Sequence, residues 1–173
     1  MSKSESGGAT LQELSVGEKL AGKYLTFKLA LEEYGLEILK VQEIIQMQAV
    51  TRVPRTPEHV RGVINLRGKV IPVIDLRKKF FLDICVDTEK TCIIVVQISL
   101  QENILVMGII IDEVKEVLDI KAEDIENTPS FGSNISTEFI LGMGKVNGNV
   151  KILLDIDKVL SSSELNIIAQ SIK

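Results

Sequence analysis

The sequence predicts a mainly β protein with few short helices, built from two similar halves. Valine, isoleucine and leucine supply most of a hydrophobic fraction of 45%, while aromatic residues make up only 4% and tryptophan is missing. Such enrichment in β-branched residues favours strands. A chain of 173 residues can bury a sizeable core, either as one domain or as two small barrels that share a core.

A hairpin pattern that occurs twice is the main evidence for the two halves. RGVINLRGKVIPVIDLRKKF spans 61–80, and GMGKVNGNVKILLDIDKVL spans 142–160. At an offset of eighty positions Gly68 aligns with Gly148, and each copy has two apolar segments around a Gly turn. This predicts a β-hairpin followed by a short helix in each half. Because Pro72 lacks a backbone N–H, we expect the second strand of the first hairpin to be an edge strand or to carry a bulge.

The repeat extends upstream of the hairpins. LEILKVQEI at 36–44 resembles IIIDEVKEV at 109–117, at an offset of 73. The second half therefore has seven additional residues before its hairpin, as expected for an insertion in a surface loop. We predict an internal duplication with pseudo-repeats at about 23–82 and 91–160.

The two ends of the chain differ from these repeats. Residues 1–22 are rich in Ser, Gly and Glu, which predicts a flexible N-terminal segment ahead of a folded domain at 23–173. Near the other end, Ser161 and Glu164 form a capping-box pattern. We therefore predict a C-terminal helix at about 162–172.

Apolar periodicity places the other elements. Residues 24–39 predict two strands about a turn near Glu32 and Glu33, and VQEIIQM at 41–47 predicts a short helix or turn. CIIVVQISL and ILVMGIIID are near-continuous apolar runs that predict buried strands, and KEVLDI predicts a short strand after them.

Residues 50–80 form a basic segment in an otherwise acidic protein. With eight basic and two acidic side chains its net charge is +6, whereas the whole chain carries −4, so the remainder sums to −10. Such a segment is expected to attract an acidic partner surface, the alternative being a solvated loop. The basic residues are Arg52, Arg55, Arg61, Arg67, Lys69, Arg77, Lys78 and Lys79.

Residues that enzymes and metal sites need are sparse. His59 is the single histidine, and Cys85 and Cys92 are too few for a disulfide framework or a four-cysteine zinc site. The sequence has no P-loop, dinucleotide-binding or zinc-protease motif. Asp75 and Asp155 recur before each predicted helical turn, where they can act as N-caps. We expect no enzymatic activity, no metal and no cofactor.

No targeting or membrane-spanning segment is recognisable in the sequence. The longest apolar run, at 104–111, is shorter than the roughly 20 residues that a membrane span needs. We therefore expect a cytoplasmic protein without direct membrane insertion.

The segments EYGLEILKVQEI and RGVINLRGKVIPVIDLRKKF resemble the CheW-like domain family, from about Lys23 to the C-terminus. The resemblance implies two five-stranded, SH3-like β-barrel subdomains with a shared core. It also implies a non-catalytic chemotaxis adaptor that couples the cytoplasmic tips of methyl-accepting chemoreceptors to the regulatory domain of the histidine kinase CheA. The protein would then be recruited to membrane receptor arrays.

In this family the receptor binds in a groove between the two barrels. The corresponding receptor-binding residues here are Val41, Glu43, Gly62, Val63, Asn65 and Arg67. Val41 and Val63 are expected to form an apolar floor, and Arg67 to donate to a carboxylate or carbonyl group of the receptor. The alternative for Arg67 is an internal ion pair, for example with Glu43. Kinase binding is expected through barrel-to-barrel contacts elsewhere, and no residues are assigned to it.

A second hypothesis is a barrel that binds single-stranded nucleic acid through residues 50–80. Such a site needs aromatic side chains on which bases stack. Phe80 and Phe81 are the only ones nearby, and the acidic remainder of the chain repels phosphate, so we expect no nucleic acid among the partners. A hydrolase or transferase is the third hypothesis.

Overall fold

Eleven strands form most of the described structure. A computed structural model of the chain describes residues 14–82, 86–100, 102–131, 137–160 and Glu164. The strands are β1 (Gly22–Leu29), β2 (Glu32–Glu37), β3 (Val41–Gln46), β4 (Val60–Leu66), β5 (Lys69–Asp75), β6 (Cys92–Leu100), β7 (Asn103–Ile111), β8 (Glu113–Ile120), β9 (Ile125–Glu126), β10 (Ile140–Val146) and β11 (Asn149–Leu154). The helices are α1 (Val16–Leu20) and α2 (Leu76–Lys79), with single 3-10 turns at Ile38–Lys40, Ala122–Asp124 and Ile156–Lys158.

These strands belong to two sheets. Sheet A has the order β8, β1, β2, β11, β10, β9, and sheet B has the order β3, β6, β7, β5, β4. The pairs β2/β11 and β5/β7 are parallel, and the other pairs are antiparallel. The mainly β fold with few short helices is confirmed.

Each sheet takes strands from both halves of the sequence. The hairpin β1/β2 lies between β8 and β11 in sheet A, and the hairpin β6/β7 lies between β3 and β5 in sheet B. The halves have therefore exchanged their first hairpins, and a sheet is not the same unit as a sequence repeat. The boundaries 23–82 and 91–160 stay a prediction about the repeat.

Both sequence offsets reappear in the strand pairing. In the parallel pair of sheet B, Val73 lies opposite Gly108. In the parallel pair of sheet A, Leu153 lies opposite Gly35. Val73 and Leu153 differ by eighty positions, and Gly35 and Gly108 by 73, so the two sheets use the same register.

The core lies between the sheets and draws on both. Phe27 and Leu36 from sheet A and Ile94 and Ile109 from sheet B are almost fully buried in one cluster. SH3-like subdomains fit this arrangement. Among the described strands no hydrogen-bonded pairing joins β3 to β4, so sheet B is not closed into a barrel by hydrogen bonds.

Two local predictions were wrong. The strand β5 lies inside sheet B and is not an edge strand; its pairing with β7 begins at Val73, one residue after Pro72, so the missing N–H of Pro72 breaks no bond in that ladder. The other alternative is wrong as well, because the bulge of the β4/β5 pair, between Val60 and Gly62, lies on β4 and not on the strand that contains Pro72. Residues 41–46, expected as a short helix or turn, form β3, where exposed and half-buried side chains alternate as on an edge strand.

Regular structure begins before Lys23. The helix α1 lies within the segment that we expected to be flexible, and Ser15 and Glu18 form its capping box. Gly17 fits tightly beside the carbonyl of Ala122, and the Tyr24 hydroxyl donates to the carbonyl of Leu20 at 2.7 Å. These contacts hold α1 on sheet A. The predicted helix at 162–172, apart from Glu164, lies outside the described residues.

Candidate partner-binding groove

The six residues expected to bind a partner lie on opposite edges of sheet B. Val41 and Glu43 are on β3, at one edge, and Gly62, Val63 and Asn65 are on β4, at the other. Arg67 follows in the β4/β5 turn. The sheet curls so far that the Arg67 guanidinium contacts the Glu43 carboxylate. This ion pair brings the two edges together, and it is the internal alternative that we considered for Arg67.

The turn that carries Arg67 is held by local contacts. Arg67 and Gly68 have φ angles of 51° and 89°, as in a two-residue hairpin turn of type I′. The Asn65 side-chain oxygen accepts from the Gly68 N–H at 2.8 Å. With its backbone fixed in this way, Arg67 still exposes 67% of its side chain and can reach a partner.

Gly62 and Val63 have a supporting role. A β-carbon on Gly62 would lie 2.1 Å from the carbonyl oxygen of Thr51, and the φ angle of 146° also favours glycine. Val63 and Thr51 exchange two backbone hydrogen bonds of 2.8 and 2.9 Å. The segment around Thr51 therefore covers this part of β4, and Gly62 is buried beneath it.

A groove lies beside the Arg67 turn. Leu66, Ile71 and Val106 give it apolar walls, and Arg67 and Lys69 add positive charge. Gln42, which also lines it, accepts from the Gln97 side chain at 3.3 Å. Val41 instead packs on the core that joins the two sheets, so the described contacts do not bring Val41 and Val63 together as one floor.

Most of these lining residues were not recognisable from sequence patterns. Gln42 lies between the two predicted residues of β3, and Lys69 immediately follows the Arg67–Gly68 turn. Only the curl of the sheet brings them to one groove. Exposed and half-buried side chains alternate along β3, and this alternation could have indicated Gln42 as one of the exposed residues.

Several charges of the basic segment are used inside the protein. Arg61 binds Asp75 and Asp87, and Lys79 binds Glu164 at 2.9 Å. Arg77, which the sequence suggested as part of a surface patch, is fully buried. The segment is therefore much less positive toward solvent than a count of its charges indicates.

Arg77 lies at the centre of an acidic network. Its Nε and Nη2 donate to the two Asp75 carboxylate oxygens at 2.9 and 3.0 Å, and Nη2 also donates to Asp87 at 2.7 Å. Its Nη1 donates to Asp112 at 3.0 Å and to the carbonyl of Val86 at 3.1 Å. The five N–H groups of the guanidinium thus all have acceptors.

The network also holds its carboxylates in the charged form. Burial raises the pKa of Asp75, but hydrogen bonds from Arg77 and Arg61 outweigh it and keep the pKa below the usual value. The same balance lowers the pKa of Asp87. Asp75 and Asp155 also accept the N–H groups of residues 77 and 157, which confirms both as N-caps.

The aromatic side chains of the basic segment do not form a stacking platform. Phe80 stacks on Tyr34 and Phe139 inside the protein, while Phe81 is exposed. One exposed ring beside partly neutralised charges does not favour the nucleic-acid hypothesis. In the described part of the chain no His, Cys, Asp and Glu residues cluster as metal ligands, and no helix is long and apolar enough to cross a membrane.

Comparison with known proteins gives one family. A family model described as "CheW-like domain" matches residues 23–164. The chemotaxis protein CheW of Klebsiella aerogenes is 41% identical over 94% of this chain and 95% of its own length. That of Treponema pallidum is 34% identical over 84% of this chain and 85% of its own.

A solved structure agrees with the sequence matches. The crystal structure of the scaffolding protein TtCheW from Thermoanaerobacter tengcongensis superposes with a TM-score of 0.74 at 36% identity, covering 84% of this chain and 97% of that one. The overall fold described above is therefore similar to that of a known scaffolding protein. The chain belongs to the CheW-like domain family of chemotaxis scaffold proteins.

Proposed function

We propose that this protein is a non-catalytic adaptor that couples the cytoplasmic tips of chemoreceptors to the histidine kinase CheA. Its relatives are named chemotaxis proteins, and one of them is described as a scaffolding protein. In this role the protein works in the cytoplasm and is recruited to membrane receptor arrays by its partners.

The contact between Arg67 and Glu43 carries the proposal. It brings residues from opposite edges of sheet B to one exposed place, beside a groove with apolar walls that include Leu66 and Ile71. A helix from a receptor tip can bury its apolar face in such a groove. An acidic residue on that helix can then pair with Arg67 or Lys69 at the rim.

Kinase binding is proposed on a different surface, so that the adaptor holds both partners at once. Apart from β9, which extends sheet A, the two sheets have equivalent strand orders, and this gives the protein two similar but distinct edges. A contact between one of these and a barrel of the CheA regulatory domain is heterologous, and repetition of such contacts builds rings or arrays. No residue is assigned to this surface.

Reversal of the Arg67 charge tests the receptor site. We expect Arg67→Glu to weaken binding to receptor-containing membranes by roughly 1 to 3 kcal/mol while binding to CheA persists. Asn147→Glu is a matched control, because Asn147 has the same place in the second hairpin turn, with φ of 52° against 51° for Arg67. Co-sedimentation with each partner measures both variants.

A charge swap separates the partner contact from the internal ion pair. The double variant Glu43→Arg with Arg67→Glu can rebuild the pair within the protein but presents the opposite charge at the turn. If Arg67 binds the receptor, the swap does not restore affinity. Full recovery in the swap, or unchanged affinity in a folded Arg67→Glu protein, removes Arg67 from the site. Wild-type protein that binds neither receptor membranes nor CheA refutes the proposed function.

A further inference from the structure

The sheets meet at two corners that the internal repeat makes equivalent. At the first corner, Arg77 on α2 follows β5 of sheet B and donates to Asp112 at 3.0 Å. The other carboxylate oxygen of Asp112 accepts from the N–H of Ala30, at 2.6 Å, in the β1/β2 turn of sheet A. A charged side chain after a hairpin in one sheet is thus connected to a turn in the other sheet.

At the second corner the position that corresponds to Arg77 carries the opposite charge. Asp157, eighty positions after Arg77, follows β11 of sheet A and accepts from the N–H of Ser99 on β6 of sheet B at 2.9 Å. Its other oxygen contacts the Nζ of Lys40 at 2.8 Å, in the turn that joins β2 to β3. The cation follows the hairpin at the first corner, and the anion follows it at the second.

The two corners differ in strength. Arg77 is 0% exposed and all of its donors are used, whereas the side chains of Lys40 and Asp157 are 27% and 28% exposed. The second corner also has an excess of carboxylates. Burial raises the pKa of Asp155, and repulsion from Asp157 raises it further. Burial also raises the pKa of Glu37; Lys40 opposes this shift, and the carboxylates of Asp155 and Asp157 add to it. The positive charge of Lys40 lowers both pKa values and so offsets part of this repulsion.

The second corner lies directly beside the partner-binding groove. The strand β3 begins one residue after Lys40, at the edge of sheet B. Its pairing with β6 has a register shift between Val41 and Glu43, so the ladder is locally disrupted at these residues. The position of β3 therefore depends on what holds its first residues from outside the ladder.

We infer that the Arg77 corner is the fixed junction of the two sheets, and that the Lys40–Asp157 pair is an adjustable junction that positions the start of β3. Lys40 and Asp157 are then positioning residues: they touch no partner, but they set where the start of β3, with Gln42, stands beside the groove. The link to receptor binding rests on the proposed function, whereas the junction itself does not.

Amide hydrogen exchange of the full-length protein without partners tests the junction. In Lys40→Met we expect exchange at Ser99 and at the first residues of β3 to rise on the order of threefold to fivefold, as for loss of a partly exposed ion pair. Lys40→Arg should restore slow exchange. Lys145→Met is the matched control, because the ion pair of Lys145 with Glu126 joins two neighbouring strands of sheet A and does not connect the two sheets.

A second variant removes the charge and keeps the shape. Asp157→Asn retains an oxygen that can accept from Ser99, so we expect the same local rise in exchange at β3. Unchanged exchange at Ser99 and β3 in both variants overturns the inference. A rise spread evenly over both sheets, or an equal rise in Lys145→Met, also overturns it, since either result indicates a general loss of stability.

Receptor binding supplies the functional readout. If the junction positions β3, Lys40→Met binds receptor membranes about threefold to fivefold more weakly, in parallel with the rise in exchange, and Lys40→Arg restores the affinity. Altered exchange with unaltered receptor affinity overturns the positioning role. Failure of the wild type to bind any partner refutes the proposed function and leaves the exchange result intact.

Discussion

Replacement of Arg77 by methionine should be among the most damaging single changes in the chain. Methionine keeps the apolar part of the side chain but leaves Asp75, whose side chain is 1% exposed, with fewer donors. The N–H of residue 77 and the Arg61 Nη2, 3.1 Å away, remain as its partners. An incompletely paired buried carboxylate is far more costly than a broken surface ion pair.

The contacts give the size of the effect. Removal of one partner of a buried ion pair costs about 3 to 5 kcal/mol. Since Arg61 still binds Asp75, we expect the lower end, about 3 kcal/mol. Asp87 is 41% exposed and water can replace its lost contact, so its part adds about 1 kcal/mol or less. The total is a large fraction of the roughly 5 to 15 kcal/mol that stabilises a domain.

Urea denaturation at several pH values measures this cost. The pKa values of Asp75 and Asp87 in the folded protein lie below the ordinary 3.8. A carboxylate whose pKa is lowered by folding stabilises the folded protein fully above its unfolded pKa. This contribution is lost as the pH falls through the folded pKa. In Arg77→Met burial of Asp75 is less offset and its pKa should rise, so the difference between wild type and variant should be largest near neutral pH and shrink as the pH falls and Asp75 of the variant takes up a proton.

A double variant checks the cause. If the cost arises from the unpaired charge of Asp75, Asp75→Asn with Arg77→Met should be clearly more stable than the sum of the single changes predicts. A cost below about 1 kcal/mol, or strict additivity of the two changes, would refute the reasoning, because the Arg77 network would then contribute no more than a surface ion pair.

Two further predictions concern packing and topology. Gly62→Ala should lower the free energy of unfolding by about 2 to 4 kcal/mol in urea denaturation, because the added β-carbon would lie 2.1 Å from the Thr51 carbonyl oxygen and the φ angle is 146°. At Gly142 an added β-carbon would lie 2.9 Å from its nearest atom, so a cost for Gly62→Ala no greater than that of Gly142→Ala would contradict this. A fragment of residues 1–82 should show no cooperative thermal unfolding until it is co-expressed with residues 83–173, because each sheet needs strands from both fragments. Cooperative unfolding of the 1–82 fragment alone would disprove this.

The sequence predicted what depends on local patterns. The two hairpins follow from Gly turns between apolar segments, and both turns have the positive φ angles that the pattern requires, at Arg67–Gly68 and Asn147–Gly148. The N-cap role of Asp75 likewise depends only on its position before a helical turn. Signals of this kind need no knowledge of distant residues.

Long-range features could not be predicted in the same way. Arg77 counted as one positive charge in a basic segment, but its partners Asp87 and Asp112 lie ten and thirty-five residues further along the chain. A sum of charges contains no information about burial. For the same reason the groove could be predicted only in part: the resemblance indicated Arg67, but Gln42 of β3 joins it in the groove only because sheet B curls.

Exchange of the hairpins was also beyond local reasoning. A repeat in sequence suggests two units that lie one after the other, yet the first hairpin of each half pairs with strands of the other half. Apolar alternation places a strand and its buried face but does not choose its neighbours. The choice is made by the shared core, where Phe27 and Ile94, one from each hairpin, are buried in the same cluster.

The duplication explains why one chain can present two different faces. Equivalent positions keep the same backbone, as in the turns at Arg67 and Asn147, but they differ in charge. At the corners the difference is a reversal, with Arg77 in one half and Asp157 in the other. The two halves thus pair their strands in the same way but carry different charges at equivalent positions. The proposed adaptor role needs that asymmetry, because two identical faces would bind the same partner twice, whereas divergent charges on a common frame would allow two different partners to be recognised.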